Sequence, residues 1–591
     1  MRKRRALAAL GGLLAAGAGL GLGELTAALA GGTSPVVGVG TQLIDLAPGA
    51  AKDWAVKNLG TADKPILIGV VLLAVAIFSL VASAIGATRP RIAIALTVLL
   101  GALAILAAAT GRTLATNHFT QVLPAIITLL TATTGIVVVL RTLKPFGGSR
   151  HPEAPAAEGS NPPLATNTPT ADGADPALAT NAPADEGSES APATNAPVAG
   201  GGKPTLRVGD SAPVAGAAAS SDTARSAVGA EPAEAPSGFD RRAFLGTVMA
   251  LGVAGAGGFG GSLVVPGGVS ESTRRGIKLP MAASRARAVP AGVAADVSGV
   301  SKFFTPNPNF YRVDTLLTVP KVDPRNWQLR IHGMVDRELR LSFADLLDRR
   351  LIERDITLTC VSNEVGGPYV GNARWIGVPI AELLREAGVQ GGADAVRSTS
   401  VDGLTIGTPL KALTDGRDAI LAVGMNGEPL PFEHGFPVRM VVPGLYGFVS
   451  ATKWLVDFEV TKFEDFSAYW TDRGWSVEAP IKTSSRIDVP RGFARIKAGP
   501  AVAAGVAWAQ HRGITKVEVQ VDDNDWLPAT LAAEDSIDTW RQWTFRWDAT
   551  PGNHTLTVRA TDATGQVQTA DRAAPRPNGS SGLHNTVVMV E

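Results

Sequence analysis

The stretch TLTCVSNEVGGPYVGNARW, Thr357 to Trp375, holds the only cysteine in a chain of 591 residues. A lone thiol forms no internal disulfide and cannot hold an iron–sulfur cluster, a zinc ribbon or a c-type haem, all of which need more sulfurs. Considered by itself, such a residue reads as an inert buried side chain. What marks this one is its company: an Asn, a Glu, several glycines and an Arg–Trp pair close behind it. Its meaning depends on the chain around it.

That chain is long enough for several domains. Hydrophobic residues make up 45% of it and charged residues only 18%, which lies between a soluble enzyme and a membrane protein. A net charge of +1 supplies no global field toward nucleic acid, so no nucleic-acid partner is expected. Cysteine scarcity leaves the redox compartment open.

Residues 1–145 read as a four-helix transmembrane region. Apolar runs at Ala6–Leu29, Ile66–Ala87, Ile92–Thr110 and Val122–Leu140 are each close to the ~20 residues that cross a hydrocarbon core. The first is the weakest, Gly-rich with Glu24 inside it, and resembles a signal peptide, but three more spans follow directly, so it reads as a retained helix. Arg2 to Arg5, then Arg89 and Arg91, then Arg141, Lys144 and Arg150 put both ends of the bundle on the cytoplasmic side. The histidines of this region are His118, read as a loop residue, and His151, beyond the fourth span, so the bundle is not expected to bind haem. Residues 146–238 are rich in Ala, Pro, Gly, Ser and Thr and almost free of aromatics, the composition of a disordered linker. Residues 239–266 form a fifth, weakly apolar span headed by Arg241 and Arg242, and Asp-Arg-Arg-Ala-Phe-Leu resembles a twin-arginine signal. No convincing cleavage site follows, so the rest is expected to stay tethered to the cell membrane, outside the cytoplasm.

Beyond residue 300 the texture is α+β. Trp327, Leu329 and Ile331 alternate as in a half-buried strand. In LSFADLLDR, Ser342 stands as N-cap with Asp345 at the third helical position. VPIAELLREAGV is a short amphipathic helix, and PVRMVVPGLYGFVSATKWLVDFEV supplies two strands around a Gly-containing loop. From about 482 to 591, short alternating strands with close turns suggest an immunoglobulin-like β-sandwich.

Four segments of this half, in order, resemble the sulfite oxidase family of molybdenum-cofactor enzymes. They are NFYRVDTLLTVPKVDP from Asn309, the Cys360 stretch ending GNARWIGVPIAELL, EHGFPVRMVVPGLYGFVSATKW from Glu433, and GVAWAQHRGITKVEVQVDDNDW from Gly505. The resemblance covers about residues 300–591, and the tethered architecture is similar to actinobacterial members. It implies an N-terminal membrane bundle, a molybdopterin-binding domain over 300–480 and a dimerisation-type sandwich over 482–591. A homodimer through that last domain is the family's habit.

The resemblance makes Cys360 the thiolate ligand of molybdenum, a soft donor suited to a metal that changes oxidation state. It places Tyr311, Arg312, His434, Arg439, Ser450, Ala451, Thr452 and Lys453 around the pterin and its phosphate, with Asp402 as a further polar contact, and gives Arg312 a catalytic role as well. Arg374 and Trp375 read as structural. The implied cofactor is molybdopterin, with no haem or iron–sulfur cluster in this chain. The implied partners are a small-molecule oxygen-atom donor or acceptor, a separate cytochrome or quinone-linked electron carrier, and the lipid bilayer.

Two departures bear on substrate. Animal sulfite oxidases follow the cysteine with Asn-Arg-Arg, whereas here Val361-Ser362-Asn363-Glu364-Val365 follows. A desolvated Glu364 would repel an anion. The family's Asp-Tyr-Lys-Gly segment corresponds to TDRGW, Thr471 to Trp475, which puts Arg473 or Trp475 in the place of the family's active-site tyrosine. Sulfite-type oxidation and reduction of a neutral sulfoxide or N-oxide are both compatible with this pattern. A third reading is a surface binding module that has lost its cofactor, against which the retained Cys, Arg, His and Lys positions argue.

Overall fold

Apolar segments in a bilayer must satisfy their backbone internally, which helices do. The computed structural model describes residues 1–48, 51, 54–55, 58–59, 62–111, 118–143, 240–264 and 269–591. Among the described residues, five helices are long and apolar enough to cross a membrane. In chain order the helices are α1 (Arg2–Ala30), the short α2 (Pro35–Leu46), α3 (Asp63–Gly86), α4 (Pro90–Thr110), α5 (His118–Thr142) and α6 (Arg241–Val264). Helix α1 packs against α3, α5 and α6 around small and branched side chains, among them Ala8, Ala93, Val139 and Phe244. The linker expected over 146–238 lies outside the described residues.

Two features differ from the sequence reading. His118 opens α5 rather than lying in a loop. Helix α2 was not anticipated; its N-cap Ser34 accepts from Val37 N at 3.2 Å and donates to Glu24 Oε1 at 2.6 Å. One hydroxyl thus caps α2 and satisfies the acid within α1.

The α+β part holds ten strands: β1 (Gln328–Gly333), β2 (Leu339–Ser342), β3 (Ile352–Thr359), β4 (Val370–Pro379), β5 (Ala395–Ser400), β6 (Thr405–Pro409), β7 (Ile420–Met425), β8 (Glu428–Pro429), β9 (Arg439–Val441) and β10 (Leu455–Thr461). One sheet runs β2-β1-β10-β5-β6, and another β3-β4-β7-β8 with β9 on β7. The alternation at Leu329 and Ile331 is that of β1, where both are fully buried. Ser342 and Asp345 form a reciprocal capping box on the helix Phe343–Leu347.

Nine further strands follow: β11 (Ser484–Val489), β12 (Ala494–Ile496), β13 (Gly499–Trp508), β14 (Ile514–Val521), β15 (Leu527–Pro528), β16 (Thr530–Leu531), β17 (Arg541–Ala549), β18 (Gly552–Asp562) and β19 (His584–Val590). They form two sheets, β11-β13-β17-β16 and β12-β19-β18-β14-β15. Trp543 and Phe545 of the first meet Val519, Leu556 and Val558 of the second in a common core. Val506, Trp508 and Trp540 also join the core of the α+β part, so apolar packing is continuous across the two.

Candidate functional site

Cys360 ends β3 at the head of a hairpin to β4, and its amide donates to Tyr369 O at 2.9 Å. The turn is tied off by Asn363, whose N–H donates to Cys360 O at 3.0 Å and whose Oδ1 accepts from Tyr369 N at 2.7 Å. Later segments of the chain hold it from outside. Ser580 Oγ donates to Asn363 O at 2.6 Å and Arg486 Nη1 to Gly367 O at 2.8 Å. Gln510 Nε2 donates to both Thr357 O and Thr359 Oγ1 at 3.0 Å. Each such bond contributes about 1 kcal/mol net, and together they fix the thiol's direction.

Cys360 is 8% exposed and faces a cleft. Burial raises the thiol's pKa against hydrogen bonds from Ser362 and the nearby Lys453 charge. A metal binds such a group as thiolate, displacing its proton. Around the cleft, the structure gathers Tyr311, Asp402, His434, Arg439, Ala451, Thr452 and Lys453 with Cys360, all anticipated from sequence.

Two anticipated residues lie outside the lining. Arg312 turns its guanidinium to Asp314, with Nε 2.6 Å from Oδ2. Ser450 is fully buried and donates to Leu445 O at 3.1 Å and Tyr446 O at 2.9 Å, holding its own loop. Thr452 Oγ1 is 2.7 Å from Ser398 Oγ, a buried hydroxyl pair behind the wall. Glu364 is exposed and is not part of the lining. It therefore imposes no desolvated charge on a ligand there. Of the two residues expected in the tyrosine's place, Trp475 lines the cleft, while Arg473 donates through Nη1 to Tyr469 O at 2.9 Å and faces Asp45 at 3.7 Å. Arg374 grips Asp355 through two 2.7 Å bonds, and Trp375 is fully buried, donating to Ile356 O at 3.1 Å.

Around Asp314 the cations outnumber the carboxylate. Asp314 is nearly inaccessible and pairs with Arg312, with Lys453 at 3.2 Å and with Lys64. Burial by itself would raise its pKa, yet these cations hold it well below the usual range. Burial lowers Lys453 to about 8, opposed by Asp314. Arg439 is lowered by burial to about 10 and has no carboxylate partner among the described residues. Its Nε donates to Met440 O at 3.3 Å and Nη1 to His434 O at 3.2 Å, leaving other guanidinium N–H groups for a ligand. Burial lowers His434 to about 4, so the ring is neutral; its Nε2 donates to Asn307 O at 3.0 Å, which leaves Nδ1 as an acceptor.

Sequence reasoning missed Asp314, Thr315 and Ser400. Thr315 Oγ1 and Ser400 Oγ are buried in the cleft lining without a hydrogen-bond partner, a situation native structures resolve with a ligand or water. An anionic, hydrogen-bonding pterin with a phosphate fits this donor set: two hydroxyls, a neutral imidazole and two buried cations beside a thiol. No local motif marks those hydroxyls, and only the tertiary fold brings them together.

Residues 316–470 match the family described as oxidoreductase molybdopterin binding domain. The human mitochondrial sulfite oxidase is 30% identical over 334 residues, covering 48% of this chain and 60% of that protein. A nitrate reductase [NADH] of Brassica napus is 34% identical over 194 residues, 28% of this chain and 21% of that one. The crystal structure of the sulfane dehydrogenase SoxCD from Paracoccus pantotrophus aligns at 24% identity and a TM-score of 0.43, covering 50% of this chain and 85% of that chain. The chain spans about 60% of the length of the sulfite oxidases it matches. Fold and site thus define a molybdopterin-binding oxidoreductase domain. Within it the chain is similar to the sulfite oxidases, whose length it spans only in part.

Proposed function

We propose that this chain is a membrane-anchored molybdenum-cofactor oxidoreductase that transfers an oxygen atom on the extracytoplasmic side and exchanges two electrons with a separate cytochrome or quinone-linked carrier. The observation that carries the reading is Cys360, a single buried thiol in the wall of a cleft that buried cations and unpartnered hydroxyls also line. A bound molybdenum pterin supplies the two-electron oxygen-atom chemistry. In this reading Cys360 ligates the metal, while Arg439 and Lys453 take the phosphate end and Ser400, Thr315 and His434 meet the pterin edge. Tyr311 is kept protonated by burial and by the neighbouring thiol, so its hydroxyl keeps a proton to donate in the cleft lining. Arg312 acts through Asp314.

Five apolar helices support the anchor, with Arg241 and Arg242 heading the fifth as in a twin-arginine signal. Residues 300–480 form the catalytic domain in this reading, and 482–591 an immunoglobulin-like, dimerisation-type domain. The test is molybdenum and pterin content of detergent-purified protein beside Cys360→Ala. About one molybdenum per chain, with its loss or altered spectra in the variant, supports the proposal. Neither metal nor pterin, from cells that fill other molybdoenzymes, sinks it.

The substrate wall favours a neutral oxygen-atom donor or acceptor over sulfite. Leu316, Val361, Leu404, Ile406, Trp470 and Trp475 line it, and the charged cations of the lining among the described residues are those assigned to the cofactor, Arg439 and Lys453. A sulfoxide or N-oxide therefore meets less desolvation cost here than an anion. Turnover of methyl sulfoxides with a viologen donor supports this choice; turnover confined to sulfite with an acceptor dye reverses it.

A further inference from the structure

Residues at one end of the membrane bundle touch the lining of the cleft and a segment beside it. Lys64, at the start of α3, pairs with Asp314, the carboxylate that also binds Arg312 and Lys453. Helix α2 supports the same segment, because Gly40 packs on Leu317 so closely that a Cβ would collide with it. Elsewhere Asp45, near the end of α2, accepts from Tyr469 Oη at 3.0 Å and faces Arg473, and the adjoining Trp470 and Trp475 line the cleft.

These contacts carry more than attachment. Asp314 brings one negative charge to three cations, and Lys453 is one that a ligand in the cleft can reach. Without Lys64, the buried carboxylate would draw harder on Lys453, since a desolvated charge needs compensation from whatever donors remain. We propose that Lys64 completes the cofactor site: the membrane bundle supplies the cation that satisfies Asp314, so that Lys453 stays turned to the anionic end of the cofactor. Lys64 is a positioning residue, acting through Asp314. The bundle is then part of the enzyme's working half as well as its anchor. This rests on the molybdopterin reading above.

The experiment compares wild type, Lys64→Gln, Lys64→Arg and Asp45→Asn, all as full-length protein in detergent. Pterin per chain is measured before and after prolonged gel filtration in high salt, with thermal midpoints recorded alongside. The expected result is roughly tenfold weaker pterin retention in Lys64→Gln, the size of one charge-assisted hydrogen bond. Lys64→Arg restores it and Asp45→Asn retains pterin better than Lys64→Gln. Equal retention in wild type and Lys64→Gln overturns the proposal, as does an equal loss in Asp45→Asn, which would mean that loosening the bundle suffices. Wild type without pterin instead sinks the function proposed above. The placement of Asp314 is read separately in cofactor-free protein by amide exchange over residues 311–317. Exchange quickens in Lys64→Gln if Lys64 holds that segment, and unchanged exchange overturns the proposal independently.

Discussion

The Arg439 guanidinium lies 5.1 Å from the centroid of the Trp375 ring, and both side chains are buried. A ring face stabilises the cation without cancelling its charge, so the charge stays available to an anion in the cleft. The arrangement trades stability for binding. In Arg439→Met the buried cation is replaced by an apolar chain of similar length, which is neutral or stabilising when the removed charge had no carboxylate partner. The thermal midpoint of cofactor-free protein should be equal or higher than wild type, while pterin content collapses. A clear loss of apo stability would show that Arg439 serves the fold first.

Trp375 supports that cation and much else. It is fully buried, meets Phe310 edge-on at 5.8 Å and bonds to Ile356 O. Trp375→Ala should cost about 3–5 kcal/mol, read as a lower midpoint in chemical or thermal unfolding. A cost under about 1 kcal/mol would mean that the site collapses around the gap.

Gly435 follows His434 with φ of 106°, and a Cβ there would stand 3.0 Å from Lys453 Cβ and 3.1 Å from Arg439 Cβ. Gly435→Ala combines backbone strain of about 1–2 kcal/mol with pressure on Lys453 and Arg439, the two cations proposed to hold the cofactor. We expect pterin retention to fall by more than the stability loss predicts, measured against another destabilised variant of equal midpoint. Matching retention would leave strain as the whole effect.

Asn372 joins distant parts of the chain. Its Nδ2 donates to Phe303 O at 3.0 Å and its Oδ1 accepts from Thr357 Oγ1 at 3.0 Å, while that hydroxyl accepts from Trp540 N at 2.8 Å. Asn372→Ala strands buried partners at about 1–3 kcal/mol. The double variant with Thr357→Val should cost less than the sum of the singles, and strict additivity would break the network interpretation.

Asp535 gives a pH dependence. Partial burial and the neighbouring Asp355 raise it to about 6, against the pull of Arg374 and Arg287. The folded state therefore keeps a proton that the unfolded chain has released. The stability this confers is full below the unfolded value, ~4, and is lost as pH rises through about 6. Asp535→Asn removes the titration. Its midpoint should gain on wild type as pH rises from about 5 to 7; a constant gap would exclude this group as the cause.

Local signals in the sequence carried the apolar spans, the alternation at Leu329 and Ile331, the Ser342–Asp345 cap and the cysteine turn. Each is written within a few neighbouring residues, where period and capping chemistry act. The family resemblance carried most of the cleft. What stayed hidden depends on tertiary meeting: Asp314 finds Lys64 across 250 positions, and Thr315 and Ser400 show their role only as partnerless buried hydroxyls. Ser450 and Arg312 were misplaced for the same reason, since a position in a motif does not say whether a side chain turns to the ligand or to its own loop. Helix α2 escaped because it is too short to read as a span, though its Ser34–Pro35 start is an ordinary capping signal.

The clamp on the cysteine turn also sets an order of events during synthesis. Ser580 closes on Asn363, and the His584 ring sits where a side chain at Gly366 would go. A nascent chain has made α6 and β3 long before it makes those residues. The cysteine turn therefore reaches its final shape late, after translation has passed residue 584, while the long apolar helices depend on neither contact. The shape of the cysteine turn is thus a property of the whole α+β and β-sandwich half, since no shorter piece carries both contacts.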